Sequence, residues 1–379
     1  MRYVGMDVHR NWCQVAEIDD GGAVLREMRL PMDPTALAKF AQTNWDEETQ
    51  VLVEATGNSH LVYDVVSPYV GKVLLADPNR LKVISQAKVK TDRLDALMLA
   101  RLLRADMVPE VWVPEPDLRR LGCLVRHRVG LRRTASSLKN QVHAVLKRNG
   151  VQVPMSDAFG KAGQVFLRKA SSRMPEEDRA IVLSCLSLLG CLEQEMEALE
   201  RALALRAKDM PEVRILLSIP GVDVYSAVLI LTEIGDVSRF PSPKHLASYA
   251  GLAPRVHASG ERSYTGHISK KGRKHLRWIL GQVIQHAVRK PGRLQAFYLR
   301  LRQRKGTSVA KVAAARKLLT LIWAMLRTGC LYRDADLRLH RTKETAMERR
   351  AAPYPAWLWQ GNRQDARKRR EVGITAGGT

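Results

Sequence analysis

Short apolar runs open the chain and recur at strand length. Tyr3 to Asp7, Cys13 to Ile18 and Val24 to Leu30, the last two separated by Asp19-Asp20-Gly21-Gly22, predict an antiparallel three-stranded meander. Asp33 to Thr43 carries a helical pattern, Val51 to Glu54 is a short continuous apolar strand, Ser59 to Pro68 is helix-like, and Lys72 to Ala76 is a further strand. Thr91 is placed to cap a helix running through Leu94, Leu97, Leu102 and Leu103, which puts Asp92 and Asp95 in its first turn.

Beyond about residue 112 the period changes from strand to helix. Arg119 to Arg148 has Leu and Val at helical spacing together with nine Lys or Arg and no acid, so one face packs and the other is free to meet phosphate. Val151 to Arg173, with Pro154, Gly160 and Gly163, reads as a looser connector. Pro175 to Lys208 is amphipathic again, with acids at Glu193, Glu195, Glu197 and Glu200, and suits a helical hairpin or an intersubunit coil. Leu216 to Val222 followed by an apolar helix from Tyr225 to Glu233 has the look of a helix-hairpin-helix element, with Asp223 where a second glycine is usual. Turn residues then alternate with cations through Ser248 to Gly260 and Gly266 to Arg277. From Arg338 to Thr379 the chain is rich in Arg, Pro and Trp, including Trp357 and Trp359, and is expected to be a basic, partly disordered arm that orders on nucleic acid.

Charge changes this picture from a generic α/β-plus-helical protein to one with a polyanionic partner. The formal net charge is +24, from 62 Lys and Arg against 38 Asp and Glu, far more than solubility requires. The five cysteines, Cys13, Cys123, Cys185, Cys191 and Cys330, are scattered without zinc-like spacing and read as reduced core residues. No apolar run reaches the ~18 residues of a membrane span, so a soluble, cytoplasmic protein without a membrane partner is expected.

Four acids stand out against that charge: Asp7 and Glu54 each end an apolar run, and Asp92 and Asp95 share one helical turn. Hard oxygen ligands converging in this way suit Mg2+ or Mn2+ held against phosphate, although a helix start accepts acids anyway. A second candidate group is Ser259, next to a glycine on a loop rimmed by Arg255, Arg262, Lys270, Lys271 and Arg273, where a hydroxyl could attack a phosphodiester. Ser263, Thr265 and Ser269 compete for that role. The cations expected to contact nucleic acid are those five together with Arg119, Arg120, Arg126, Arg128, Arg132, Arg133, Lys139, Lys147 and Arg148.

The strand and helix order of the first domain is that of a ribonuclease-H-like fold. The four acids, the Ile219-Pro220-Gly221-Val222 segment, Ala250-Gly251-Leu252-Ala253-Pro254 with Ser259-Gly260, and Gly266-His267-Ile268-Ser269-Lys270-Lys271-Gly272-Arg273 together resemble, in order, the DEDD-type insertion-sequence transposases, the bridge-RNA-guided recombinases. That resemblance runs from about residue 1 to about 330. It implies an α/β RNase H-like (RuvC-like) domain over 1–112, a basic helical coiled-coil linker over 113–208, a mainly α transposase domain over 209–335, and an extension over 336–379. It further implies that Asp7, Glu54, Asp92 and Asp95 are metal ligands and catalytic, and that Ser259 is the nucleophile. The partners it implies are double-stranded donor and target DNA, a noncoding bridge RNA, and copies of the same chain, a dimer assembling to a tetramer whose active sites combine one subunit's acids with another's serine. The reaction would be cutting and rejoining of DNA through a phosphoserine, in the bacterial cytoplasm and at the nucleoid. The alternative is a RuvC-like metal-dependent nuclease that resolves branched DNA with water and leaves Ser259 incidental.

Overall fold

The structure, a computed structural model, describes residues 1–84, 91–259 and 262–351 and divides into two compact units, Met1–Pro114 and Glu115–Thr379. The first is built on a sheet of six strands: β1 (Arg2–Val8), β2 (Trp12–Ile18), β3 (Val24–Pro31), β4 (Thr49–Glu54), β5 (Lys72–Ala76) and β6 (Glu110–Val111). Their spatial order is β3-β2-β1-β4-β5-β6, with β1, β4 and β5 parallel and the other pairings antiparallel. Helices α1 (Pro34–Asn44) and α2 (Ser59–Val66) separate the first parallel strands in sequence, and α3 (Pro78–Ile84) and α4 (Asp92–Arg104) follow β5. The starts of α1 and α4 are sequence-encoded: the Ala36 amide donates to Asp33 Oδ1 at 2.7 Å, and the Leu94 amide donates to Thr91 Oγ1 at 3.3 Å.

Both faces of this sheet are covered, which explains the continuous apolar runs. Val4, Met6, Val8, Val51 and Val53 bury against Leu37, Ala41, Val62 and Val66 of α1 and α2. Leu52, Leu74 and Ala76 bury on the opposite side against Leu99, Leu102 and Leu103 of α4. Gly5 lies on that second side, and α4 crosses so close that a Cβ there would stand 2.0 Å from the Ala96 carbonyl oxygen and 2.6 Å from the Ala100 nitrogen. Neither backbone atom can yield without moving the helix, so Gly5→Ala is expected to cost about 3 kcal/mol or more, measured as a lowered midpoint in denaturant.

The second unit is mostly helical. Its helices are α5 (Pro116–Arg148), α6 (Lys161–Ser171), α7 (Glu176–Ala207), α8 (Pro211–Leu217), α9 (Val224–Ile234) and α10 (Pro243–Tyr249), then α11 (Lys274–Ala287), α12 (Arg293–Thr328) and α13 (Leu337–Arg350). One antiparallel hairpin, β7 (Pro254–Ser259) and β8 (Arg262–Ile268), interrupts them. Long α5 and α7 run antiparallel, since Arg148 at the end of one pairs with Asp178 at the start of the other, and Arg128 pairs with Glu200. The amphipathic segment forms an intramolecular hairpin: Val182, Cys185, Leu186 and Leu189 of α7 pack on Ala135, Leu138, Val142 and Val145 of α5. The opposite ends of α5 and α7 join the main core, where Val125, Val129 and Leu203 meet α8 to α12.

Gly221, at φ 82°, closes the turn between α8 and α9, and its Cα faces α11 so tightly that a Cβ would stand 2.6 Å from His286 Cβ. Asp223 caps α9 reciprocally with Ser226. The hairpin-like motif is thus a packed turn, and its departure from two glycines is explained by capping. The extension expected to be an arm departs from that reading at its start, because α13 is a packed helix. Its His340 and Met347 are buried, and Lys343 Nζ donates to the Leu217 and Ile219 carbonyls at 2.7 and 2.8 Å. Trp357, Trp359 and the rest of the basic terminus lie outside the described residues. Buried cysteines are Cys13 and Cys185, whereas Cys123, Cys191 and Cys330 are exposed, contrary to the expectation of five core thiols. Among the described residues no helix is long and apolar enough to cross a membrane.

Candidate active site

Alternation along two neighbouring parallel strands brings the first acids together. Met6 of β1 registers with Val53 of β4, so the next residues, Asp7 and Glu54, stand side by side near the strands' carboxyl ends. Asp7 is two residues past Gly5 and Glu54 two past Leu52, which places both on the face covered by α4. The first turn of α4 supplies Asp92 and Asp95 on the same side. Asp7 is 15% exposed at its side chain, and burial pushes its pKa above the ordinary value. His9 opposes that shift, while the charges of Asp95 and Asp92 add to it, which shows that both helix acids act on Asp7.

His9 was not among the residues singled out from sequence. Its Nε2 lies 3.2 Å from Asp7 Oδ2 and 3.4 Å from Asp92 Oδ1. The imidazole is stacked on Trp12 with ring centroids 4.1 Å apart, and Arg29 lies over Trp12 at 4.2 Å and reaches Asp92 at 3.8 Å. Nε2 is buried yet makes no hydrogen bond of good geometry. An orphaned nitrogen facing two carboxylate oxygens fits a divalent cation, because neighbouring ligands of one ion at 2.0–2.2 Å stand about 3 Å apart. Asp7, His9 and Asp92 therefore have the spacing of a ligand set, with Asp95 and Glu54 beside it. His9→Ala is expected to weaken Mn2+ binding by about 10–100-fold in titration calorimetry; an unchanged affinity would remove His9 from the ligand set.

The basic helix α5 has split duties. Arg132, Arg133 and Lys147 are exposed, and Arg120 is exposed while pairing with Asp117 at 3.1 Å. Arg119 is half-buried and partnered. Lys139 lies over the Phe159 ring at 4.9 Å. Arg128, expected on the phosphate face, is 15% exposed, paired with Glu200 and stacked over Tyr225 at 4.1 Å, and so belongs to the interior. Arg126 pairs with Glu233 at 3.1 Å, and Arg148 with Asp178. The run is therefore less unbalanced in space than in sequence.

In the hairpin, Ser259 is the last residue of β7 and registers with Arg262, while Ser263 registers with Ala258 and Thr265 with Val256. Ser269 sits at the opposite, root end, where its amide donates to the Ala253 carbonyl at 2.9 Å and its own carbonyl accepts from Arg255 at 3.3 Å. Lys270 and Lys271 are exposed, and Arg273 is half-buried beside Glu233 at 3.0 Å. Ser259 and Ser269 thus occupy different ends of the element.

Two family models match this chain: the DEDD transposase model of IS110 over residues 4–149, and the transposase IS116/IS110/IS902 family over residues 213–299. The chain is 27% identical over 351 residues to the transposase for insertion sequence element IS1111A of Coxiella burnetii, covering 88% of this chain and 92% of that one. It is 26% identical over 355 residues to the putative transposase y4qE of Sinorhizobium fredii, covering 86% and 88%. It is 29% identical over 301 residues to the pilin gene-inverting protein of Moraxella bovis, covering 76% and 83%. An acid-bearing α/β unit followed by a basic helical one, with these matches in the same order, defines an enzyme of the transposase and DNA recombinase class. The chain belongs to the IS110/IS116/IS902 family of insertion-sequence transposases.

Proposed function

We propose that the protein moves its insertion sequence by cutting and rejoining DNA through a phosphoserine at Ser259, with Mg2+ or Mn2+ held by Asp7, Glu54, Asp92 and Asp95 together with His9. The observation that carries this is the meeting of Asp7, His9 and Asp92 on one face of a sheet ordered β3-β2-β1-β4-β5, which supports an RNase H-like, RuvC-like reading of the first unit. A bound divalent ion polarises the scissile phosphate and offsets the charge that builds on it. The Ser259 hydroxyl attacks phosphorus and gives up its proton, the bond to the leaving deoxyribose oxygen breaks, and that oxygen takes up a proton. The free hydroxyl of the exchanged strand then attacks the phosphoserine, gives up its proton and restores the serine. One phosphodiester is broken for each one made, so no nucleotide hydrolysis is needed.

Exposed cations on α5 and around the hairpin hold DNA by its backbone, and binding is expected to fall steeply with salt. Donor and target sequences are read by pairing with a noncoding bridge RNA, and two duplexes require several active sites, hence a tetramer in which acids and serine come from different subunits. The test combines purified protein, guide RNA, Mg2+ and end-labelled DNA, followed by denaturing separation and mass spectrometry of the labelled peptide. Label on the Ser259 peptide supports the proposal; label on Ser263 or Ser269, or free nicked DNA with no protein attached, overturns it.

A further inference from the structure

Among the described residues Glu233 is the buried carboxylate of the second unit, 3% exposed, near the end of α9, whose other residues are uncharged. Taking a carboxylate out of water is unfavourable unless it is closely paired. Its two oxygens are shared out between different elements. Oε1 meets Arg126 Nη1 of α5 at 3.1 Å and His275 Nδ1 of α11 at 3.7 Å, and Oε2 meets Nε of Arg273, the residue before α11, at 3.0 Å.

One cation would suffice to neutralise Glu233, and the site holds more. Arg133 and Lys274 are close enough to act on His275, whose pKa is lowered first by burial and then by these cations and Arg126, against the opposing pull of Glu233. The surrounding sequence offers no relief: residues 262–333 contain eighteen Lys and Arg and no Asp or Glu. Glu233 is thus the carboxylate that α9 lends to an acid-free region. Arg126 and Arg273, at 34% and 41% exposure, keep part of each guanidinium open to solvent after pairing. Arg273 is also fixed through its main chain, whose amide donates to the Tyr249 carbonyl at 3.1 Å, beside the hairpin root where the Lys270 amide donates to Gly251 at 3.2 Å.

We propose that Glu233 is a positioning residue for a phosphate seat formed by Arg126 and Arg273 at the root of the β7–β8 hairpin, and that the ligand is a backbone phosphate of the DNA strand being cut. This rests on the reading that the hairpin carries the reacting serine. Arg126 meets the carboxylate through Nη1 alone and Arg273 through Nε alone, so the solvent-open part of each guanidinium keeps N–H groups for phosphate oxygens while the shared carboxylate holds the two cations together. Without the carboxylate the two cations repel each other and swing apart, leaving charge but no seat.

The test is Glu233→Gln, which keeps shape and removes charge. DNA affinity at fixed salt should stay equal or tighten, because net charge rises by one, whereas total strand cleavage at saturating DNA should fall about 10–100-fold, the effect of misplacing a reacting group by an ångström or so. In a double-mutant cycle, adding Glu233→Gln to Arg273→Gln should slow cleavage less than threefold further. Wild-type cleavage in the single variant, a parallel loss of affinity and rate, or multiplying effects in the double overturns the proposal. Should Glu233→Gln fail to fold, Arg273→Lys, which keeps the charge and loses the fork, must still show retained affinity with slowed cleavage; wild-type cleavage there overturns it equally. Counting all nicked DNA separates this outcome from the identity of the nucleophile, which Ser259→Ala tests independently.

Discussion

Ser259→Ala is expected to eliminate the covalent protein–DNA species and to lower recombination by about 10^4-fold or more, the scale on which removing a nucleophile acts when the rest of a site survives. Alanine suits the strand end as well as serine does, so binding of DNA and the melting temperature should stay at the wild-type level. Measured side by side, Ser263→Ala and Ser269→Ala should retain activity within a few fold. Ser269 has the firmer reason, because its amide and carbonyl are used in the hairpin root. Two results would count against this assignment. If Ser259→Ala still nicks DNA at the wild-type rate with Mg2+, water is the nucleophile and the protein works as a nuclease. If the adduct persists and moves to another residue in the mass spectrum, the hairpin is right and the serine is wrong.

The parts of this protein that follow from local rules were legible in its sequence. Asp7 and Glu54 were each visible as the acid that ends an apolar run, and the β1–β4 register sets them side by side; Thr91 before an apolar period placed Asp92 and Asp95 in a first turn, as the Leu94 amide on Thr91 bears out. What escaped was set by partners far away along the chain. Arg126 and Glu233 are 107 residues apart, Arg128 and Glu200 are 72 apart, and neither local window contains the other's charge. The cationic run therefore looked unpaired along its whole length, when three of its arginines pair with acids on α7 and α9. For α13 the same reasoning applies in reverse. Its few apolar residues gave no periodic signal, but Arg214 pairs with Glu344 at 3.4 Å and with Glu348 at 3.2 Å, and the Lys343 contacts tie it to α8. His9 was hidden for another reason: a single histidine after a strand has no spacing to read, and its meaning comes only from the two carboxylates that face it.

Asp7→Asn is expected to move stability and activity in opposite directions. Burial raises the pKa of Asp7, and the nearby Asp95 and Asp92 raise it further against the pull of His9. A carboxylate whose folded pKa lies above its unfolded value weakens the metal-free fold at neutral pH, and that penalty fades as pH falls through the raised pKa. Removing the charge should therefore raise the melting temperature of the metal-free protein by a few degrees. A cation reverses the sign, since it binds the folded form and rewards the charge that burial penalises. Wild-type protein should gain stability on adding Mg2+ or Mn2+, and Asp7→Asn should gain little, while strand cleavage falls on the order of 10^3-fold. Thermal melts with and without metal, run beside a cleavage assay, read all three quantities. A metal-free variant that melts lower than wild type would mean that Asp7 holds the fold through His9, with no site waiting for a cation.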